Sequence, residues 1–232
     1  MKTLHLLSGG AAYGLVSKLE GRFAAETGCR IAGTYSAVGL MRDQLLGGAP
    51  CDVVILTAAL ISQLEASAHV APGSARRLGS VKTGVAVKTG EPAPAVATPD
   101  ELKATLLKAR GIYFPDPVKS TAGIHFMSML KQLGIEAELS PRLRPFPNGA
   151  TAMGEMAKSD ESGLIGCTQV TEILYTPGVQ LVAALPKAFE LATVYTAAMS
   201  RSTDCPQAAT ALVALLAGPE AASLRRTVGF ED

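Results

Sequence analysis

The sequence predicts an α/β protein of two lobes, each built on a mixed and mostly parallel sheet, with a ligand cleft between the lobes. Three observations carry the prediction. Short apolar runs recur along the chain, and each is followed by a stretch with helical spacing, the pattern of βαβ units. A connection rich in Pro and Ala, Gly90 to Pro99, interrupts that pattern, which then starts again. The 232 residues are enough for two small lobes, because domains usually run to about 100 to 200 residues.

Leu4 to Ser8 reads as the first strand. After Gly9 and Gly10, apolar Ala12, Leu15, Val16, Leu19 and Phe23 keep helical spacing as far as Gly28, a suitable C-terminal stop. Arg30 to Ser36 reads as a strand, Val38 to Leu46 as a helix, Asp52 to Leu56 as a strand and Ala58 to Ala66 as a helix, which completes a doubly wound opening half. Val81 to Val87 alternates like a strand. The second unit repeats the grammar with a helix Glu101 to Ala109, a strand Gly111 to Phe114, the Pro115-Asp116-Pro117 turn and a helix from about Ser120 to Leu133. A strand Gly163 to Cys167, a helix from Thr168 and a strand Val179 to Val182 follow. The alternating run Thr193 to Met199 and two helices, Pro206 to Ala217 and Pro219 to Val228, end the chain and are expected to rejoin the first lobe. The expected division is residues 1–84 with 190–232 for one lobe and 85–189 for the other, with hinges near Val81 to Val87 and Thr193 to Met199.

Composition narrows the function. The chain is 48% hydrophobic and 18% charged, and its 21 Lys and Arg nearly balance its 20 Asp and Glu. No strong field exists to draw nucleic acid or an anionic membrane surface, so any anion must be held by local geometry. Cys29, Cys51, Cys167 and Cys205 are far apart, which favours buried thiols over a zinc site or a disulfide framework, and no metal or cofactor is expected. Met1-Lys2 is followed at once by the strand-like Thr3-Leu4-His5-Leu6-Leu7, with no apolar h-region and no small-residue cleavage site of a signal peptide before it. The expectation is a cytoplasmic location as written, or a periplasmic one had a leader been removed, and no membrane insertion. The motifs of P-loop nucleotide, dinucleotide and α/β-hydrolase sites are missing from the sequence.

In open α/β sheets ligands sit beyond the carboxyl ends of the strands, where helix N-termini aim N–H groups and a positive dipole end at an anion. Four junctions of this kind are polar or glycine-rich: Ser8-Gly9-Gly10, Ser36-Ala37, Lys119-Ser120-Thr121-Ala122 and Cys167-Thr168-Gln169, with Asn148-Gly149 a further helix start. The candidate ligand-binding residues are therefore Ser8, Gly9, Gly10, Ser36, Ala37, Ser120, Thr121, Ala122, Gly149, Thr168 and Gln169. Each has a purely structural reading as well: the adjacent glycines as a turn, Ser120 and Thr121 as helix caps.

Several segments in order resemble the periplasmic molybdate-binding protein family, whose members are solute receptors of ABC importers. They are Phe23 to Gly28, the Gly48-Ala49-Pro50-Cys51-Asp52-Val53 turn, Asp116-Pro117 with Ala122-Gly123-Ile124, Leu130 to Gly134, and Gly218-Pro219-Glu220 with Gly229-Phe230. The resemblance spans nearly the whole chain and implies the type II periplasmic-binding-protein, or venus-flytrap, fold. It also implies hydroxyl donors to a tetrahedral oxyanion at positions that here hold Ala11, Ala37-Val38 and Gly166. Three hydroxyls are thus missing, while positions serving through backbone N–H groups, matching Ala122 and Gly149, survive. Since each unpaired buried polar group costs about 1 to 3 kcal/mol, tight molybdate binding is disfavoured and a planar or branched carboxylate suits the site better.

The stretch Ile165-Gly166-Cys167-Thr168-Gln169-Val170 resembles a divergent branch of the same fold, the aconitate isomerases. This implies a di- or tricarboxylate ligand and double-bond migration by proton transfer, which needs a base and donors for the resulting enolate. Spacing reveals no Asp-His or carboxylate pair, so the candidate bases are Lys119, His125 and Tyr13, each with a bland reading as a solvated or packing side chain. The alternative is a receptor for molybdate, tungstate or another oxyanion, with an ABC permease as partner.

Overall fold

The computed structural model describes residues 2–232. Two compact units make up the chain, Met1–Val81 with Thr193–Asp232 (lobe 1) and Lys82–Ala192 (lobe 2). Lobe 1 begins with β1 (Lys2–Gly9), α1 (Tyr13–Thr27), β2 (Cys29–Ser36), α2 (Val38–Leu46), β3 (Val53–Thr57) and α3 (Ala58–Ala66), and β4 (Arg76–Lys88) carries the chain out of it. Lobe 2 continues with α4 (Pro99–Lys108), β5 (Gly111–Pro115), α5 (Thr121–Gln132), α6 (Glu136–Leu139), β6 (Leu143–Phe146), α7 (Gly149–Lys158), β7 (Leu164–Gln169), α8 (Val170–Tyr175) and β8 (Val179–Ala184). The chain returns through β9 (Ala192–Met199) and ends with α9 (Pro206–Ala217) and α10 (Ala222–Thr227).

Lobe 1 is a four-stranded sheet in the order β2-β1-β3-β9, parallel except for β9, which runs against β3. Leu15, Val16, Leu19 and Phe23 form the buried stripe of α1, at the helical spacing read from the sequence. The helix stops at Gly28, which takes the left-handed conformation at φ 69° and returns its N–H to the Ala24 carbonyl.

In lobe 2, β6, β5 and β7 are parallel, and β4 pairs antiparallel with both β7 and β8. Side-chain alternation splits the apolar residues between two cores. Val85, Val87, Ile112, Phe114, Ile165 and Cys167 face one side, where Phe126, Met129 and Leu130 of α5 and Leu102 and Leu106 of α4 cover them. Ala86, Tyr113 and Leu164 face the other, against Met153 and Met156 of α7 and Ile173 of α8. Full burial of one Leu, Phe or Met contributes about 1.5–3 kcal/mol relative to exposure, so these two layers dominate the lobe's cohesion.

Four elements differ from the sequence reading for local reasons. α4 starts at Pro99, not Glu101, because Thr98 and Glu101 form a capping box around it. β6, to which the sequence reading assigns no element, is a four-residue edge strand containing Pro145, and an edge tolerates the missing N–H. Thr168 and Gln169 end β7 instead of opening a helix, since they are paired across the ladder with Gly84 and Thr83. The final helix is broken into a 3-10 turn, Pro219–Ala221, followed by α10.

Gly123 sets how closely α5 meets the end of β5: a Cβ there would overlap the Pro115 and Asp116 carbonyls. Gly123→Ala is expected to cost on the order of 1–3 kcal/mol by overpacking. The check is a urea titration, in which the midpoint falls and the slope stays constant.

Candidate functional site

In lobe 1, all three parallel strands run straight into helices at their carboxyl ends. β1 ends at Gly9 and continues as a 3-10 turn, Gly10–Ala12, into α1. Gly9 is required there because a Cβ would meet Val38 of α2 at 2.8 Å and Tyr195 of β9 at 3.1 Å. Ser8 is fully buried, and its hydroxyl donates to the Gly9 carbonyl at 2.8 Å. Gly9 pairs with Ser36 at the end of β2, after which Ala37 stands at the N-cap of α2 without an oxygen to offer the first-turn N–H groups. At the end of β3, by contrast, Thr57 accepts from the Leu60 N–H at 3.3 Å. The predicted residues Ser8, Gly9, Gly10, Ser36 and Ala37 therefore fall on one edge of the sheet, all of them buried.

In lobe 2 the corresponding edge carries the starts of α5, α7 and α8. The loop into α5 is shaped by Asp116, whose carboxylate accepts from the N–H groups of Val118 at 2.7 Å and Lys119 at 2.8 Å. Ser120 caps α5 through a long bond from the Gly123 N–H, 3.5 Å, and Ala122 is buried beneath it. The N–H groups of Thr121 and Ala122 open this helix, where no intrahelical acceptor exists for them.

The α7 start is filled from inside. Asn148 accepts from the Thr151 N–H at 2.8 Å. The carboxylate of Glu172, only 5% exposed, takes the N–H groups of Gly149 and Ala150, together with that of Gln169. The Thr168 hydroxyl donates to it at 2.6 Å. A Cβ at position 149 would overlap both the Thr168 hydroxyl and the Glu172 carboxylate, so glycine alone fits. The N–H expected to face a ligand at Gly149 is thus given to Glu172. Glu172 escaped the sequence reading, although it is the one charged residue between Gly163 and Val182 and lies four residues after Thr168, close enough for their side chains to meet across the junction of β7 and α8.

Burial pushes the Glu172 carboxyl up to about 7, against the opposing pull of the Thr168 hydroxyl and the N–H groups of Ala150, Gln169 and Gly149. No cation enters the balance. The buried hydroxyls of Thr83, opposite Gln169 in the ladder, and Thr171 have no protein partner among the described residues.

The three candidate bases stand in different settings. Lys119 is exposed just before α5. Tyr13 begins α1, is 43% exposed and meets Tyr35 edge-on with ring centroids 5.1 Å apart. His125 is partly buried, with Nε2 2.8 Å from the Phe189 carbonyl, which fixes Nε2 as the protonated nitrogen. At the other end of the lobe 1 strands, the structure assembles a pair that spacing did not reveal. Asp52 accepts the His5 N–H at 2.7 Å and lies 3.5 Å from its Nδ1, while Thr203 donates to its second oxygen at 2.6 Å. The Gly166 position, where the family resemblance implies a hydroxyl-bearing side chain, is filled from above by Met153 and Met156.

Cys51 and Cys167 are buried thiols, both pushed up to about 12 by desolvation and so poor nucleophiles. Among the described residues no cluster of three or more His, Cys, Asp or Glu could hold a metal, and no helix is long and apolar enough to cross a membrane.

Helix starts gathered at the strand ends of two α/β lobes are the equipment of a solute-binding protein, and residues 4–231 match the family of bacterial extracellular solute-binding proteins, to which the chain belongs. Among individual proteins, it is 28% identical over 237 residues to an aconitate isomerase from Pseudomonas sp, a match that takes in 99% of this chain and 87% of that one. The periplasmic molybdate-binding protein of Azotobacter vinelandii has the same fold, with a TM-score of 0.81, 19% identity and 99% of both chains covered. So does the sulfate-binding protein SubI of Mycobacterium tuberculosis, with a TM-score of 0.76, 18% identity, and 99% of this chain and 86% of that one covered.

The raised carboxyl of Glu172 has a sign in stability. A group neutral in the fold and ionised when unfolded stabilises fully below its unfolded value of about 4.5, and that contribution is lost as pH rises through about 7. Melting temperature is expected to fall between about pH 5 and pH 8, and Glu172→Gln to flatten the decline. Calorimetry of both proteins across that range checks it.

Proposed function

We propose that the chain binds a small di- or tricarboxylate at these strand-end edges and isomerises it as an aconitate isomerase does. The observation that carries the reading is the match to a protein of that activity along 99% of the chain. Local chemistry supports it. Ala11, Ala37 and Gly166 bring no hydroxyls to a tetrahedral oxyanion, whereas the uncapped start of α2 and the Thr121 and Ala122 N–H groups that open α5 supply donors of the kind a carboxylate uses.

The reaction is redox-neutral and needs only acid–base groups. A base removes a proton from the methylene carbon at one end of the three-carbon allylic unit. The electron pair spreads across that unit and into the adjoining carboxylate, and a proton returns at the far end, moving the double bond. Helix-start N–H groups stabilise the extra negative charge while it exists. Lys119, His125 and Tyr13 remain the candidates for handling the proton; Glu172, with its oxygens already taken by four donors, is not one of them. A second reading is an oxyanion receptor partnered with an ABC permease. Its support is the shared fold with the molybdate- and sulfate-binding proteins.

A thermal-shift series with molybdate, tungstate, sulfate, citrate, cis-aconitate, trans-aconitate and tricarballylate separates the two, since a ligand of the folded state raises its melting temperature. Stabilisation by tricarboxylates, with ultraviolet evidence of cis/trans interconversion, is expected. Stabilisation by molybdate or tungstate alone would replace the isomerase with the receptor. Lys119→Ala is expected to weaken tricarballylate binding by about tenfold, roughly 1.4 kcal/mol, and Lys119→Arg to retain most of it, as measured by calorimetry.

A further inference from the structure

We propose that Glu172 determines which anions lobe 2 accepts: its side chain fills the donor nest at the start of α7, so that compact tetrahedral dianions are refused there while it is ionised. The inference rests on the anion-binding reading above and adds a reason for its selectivity.

The geometry is that of a bound anion supplied by the chain itself. Every first-turn N–H of α7 is accounted for, those of Gly149 and Ala150 by Glu172 and that of Thr151 by Asn148. The Gln169 N–H and the Thr168 hydroxyl complete the cage, and Gly149 lacks a side chain where a Cβ would strike the carboxylate. A doubly charged oxyanion entering this nest has to displace a buried carboxylate and face its like charge in a poorly screened setting.

No neighbouring charge relieves that repulsion. Around α8 and α7, β7 offers only Cys167, β8 has no titratable residue, α8 itself adds Tyr175, β5 adds Tyr113, and β6 adds Arg144, whose guanidinium is paired with Glu161 at 2.8 Å and donates to the Tyr113 hydroxyl. On α7, Lys158 is paired with Glu155 at 2.7 Å. On the lobe 2 part of β4, Lys82 is 3.5 Å from Glu190, and the Lys88 ammonium donates to the Ser159 and Glu161 carbonyls. The refusal therefore depends on the ionisation of Glu172 and weakens as pH falls through about 7, where that carboxyl takes up its proton.

The test measures sulfate and tricarballylate binding by calorimetry at about pH 8 in the wild type, Glu172→Gln and Glu172→Ala, and then follows sulfate alone down to about pH 6. Sulfate remains a dianion across that range. The expected result is weak sulfate binding in the wild type that strengthens at least tenfold on acidification. In the variants, sulfate binding is at least tenfold stronger at pH 8 and nearly independent of pH, and tricarballylate affinity changes only a few-fold. Equal sulfate affinity in wild type and variants overturns the inference and leaves the carboxylate reading standing. Tight sulfate binding by the wild type at pH 8 also overturns it, and an absence of binding for both anions in all proteins overturns both readings. Thr168→Val keeps the volume and the charge but removes one donor to the carboxylate, so the pH at which wild-type-like refusal sets in should rise; an unchanged midpoint counts against the proposal even if the Glu172 variants do not fold.

Discussion

Each parallel strand of both lobes ends within a few residues of a helix start, and that constraint collects N–H donors on a single edge of each sheet. Donors buried at such an edge need acceptors, because an unsatisfied one costs about 1 to 3 kcal/mol. The chain meets the need unevenly. Thr57, Ser120 and Asn148 supply neutral caps, and Glu172 supplies a carboxylate. At α2 the cap position holds Ala37, which forgoes about 0.5–2 kcal/mol that a Ser or Asp would contribute. Leaving that helix uncapped preserves donors that an internal oxygen would otherwise have occupied.

Close approach of the backbone to neighbouring side chains and carbonyls is what puts the donors within reach, and glycine makes it possible at three points. Gly9 lets β1 lie against Val38 and Tyr195, Gly123 lets α5 rest on the carbonyls that end β5, and Gly149 leaves room for the Glu172 carboxylate. Gly166 differs in kind. Its missing side chain is replaced by Met153 and Met156, so that a place available for a polar group is filled with apolar volume.

Much of this could be read from the residues alone. The stripe of α1, the limits of α3 and α9 and the run of strand-to-helix junctions follow from spacing, because burial on one face imposes that spacing directly. β6 was missed because four residues with a proline carry almost no periodic signal; its place is set by pairing with β5. The edge residues from Ser8 to Ala37 were legible as junction chemistry. Glu172 was not, for its importance comes from a partner more than twenty residues away in sequence, the helix start at Gly149. The His5–Asp52 pair was hidden for the same reason, its members standing 47 positions apart.

Counting hydroxyls is for this reason an incomplete guide to what such an edge binds. A nest of N–H groups is indifferent to whether its anion arrives from solution or from the chain, and at the start of α7 the chain's own Glu172 takes the donors. Four hydrogen bonds favour the ionised form of Glu172, while burial without a cation opposes it more strongly and leaves the carboxyl near neutrality. A lysine in the cage would have pinned the charge, and an apolar residue would have removed it. Because neither is present, the charge of the nest depends on one proton near neutral pH, and the proposed discrimination between anions rests on that dependence.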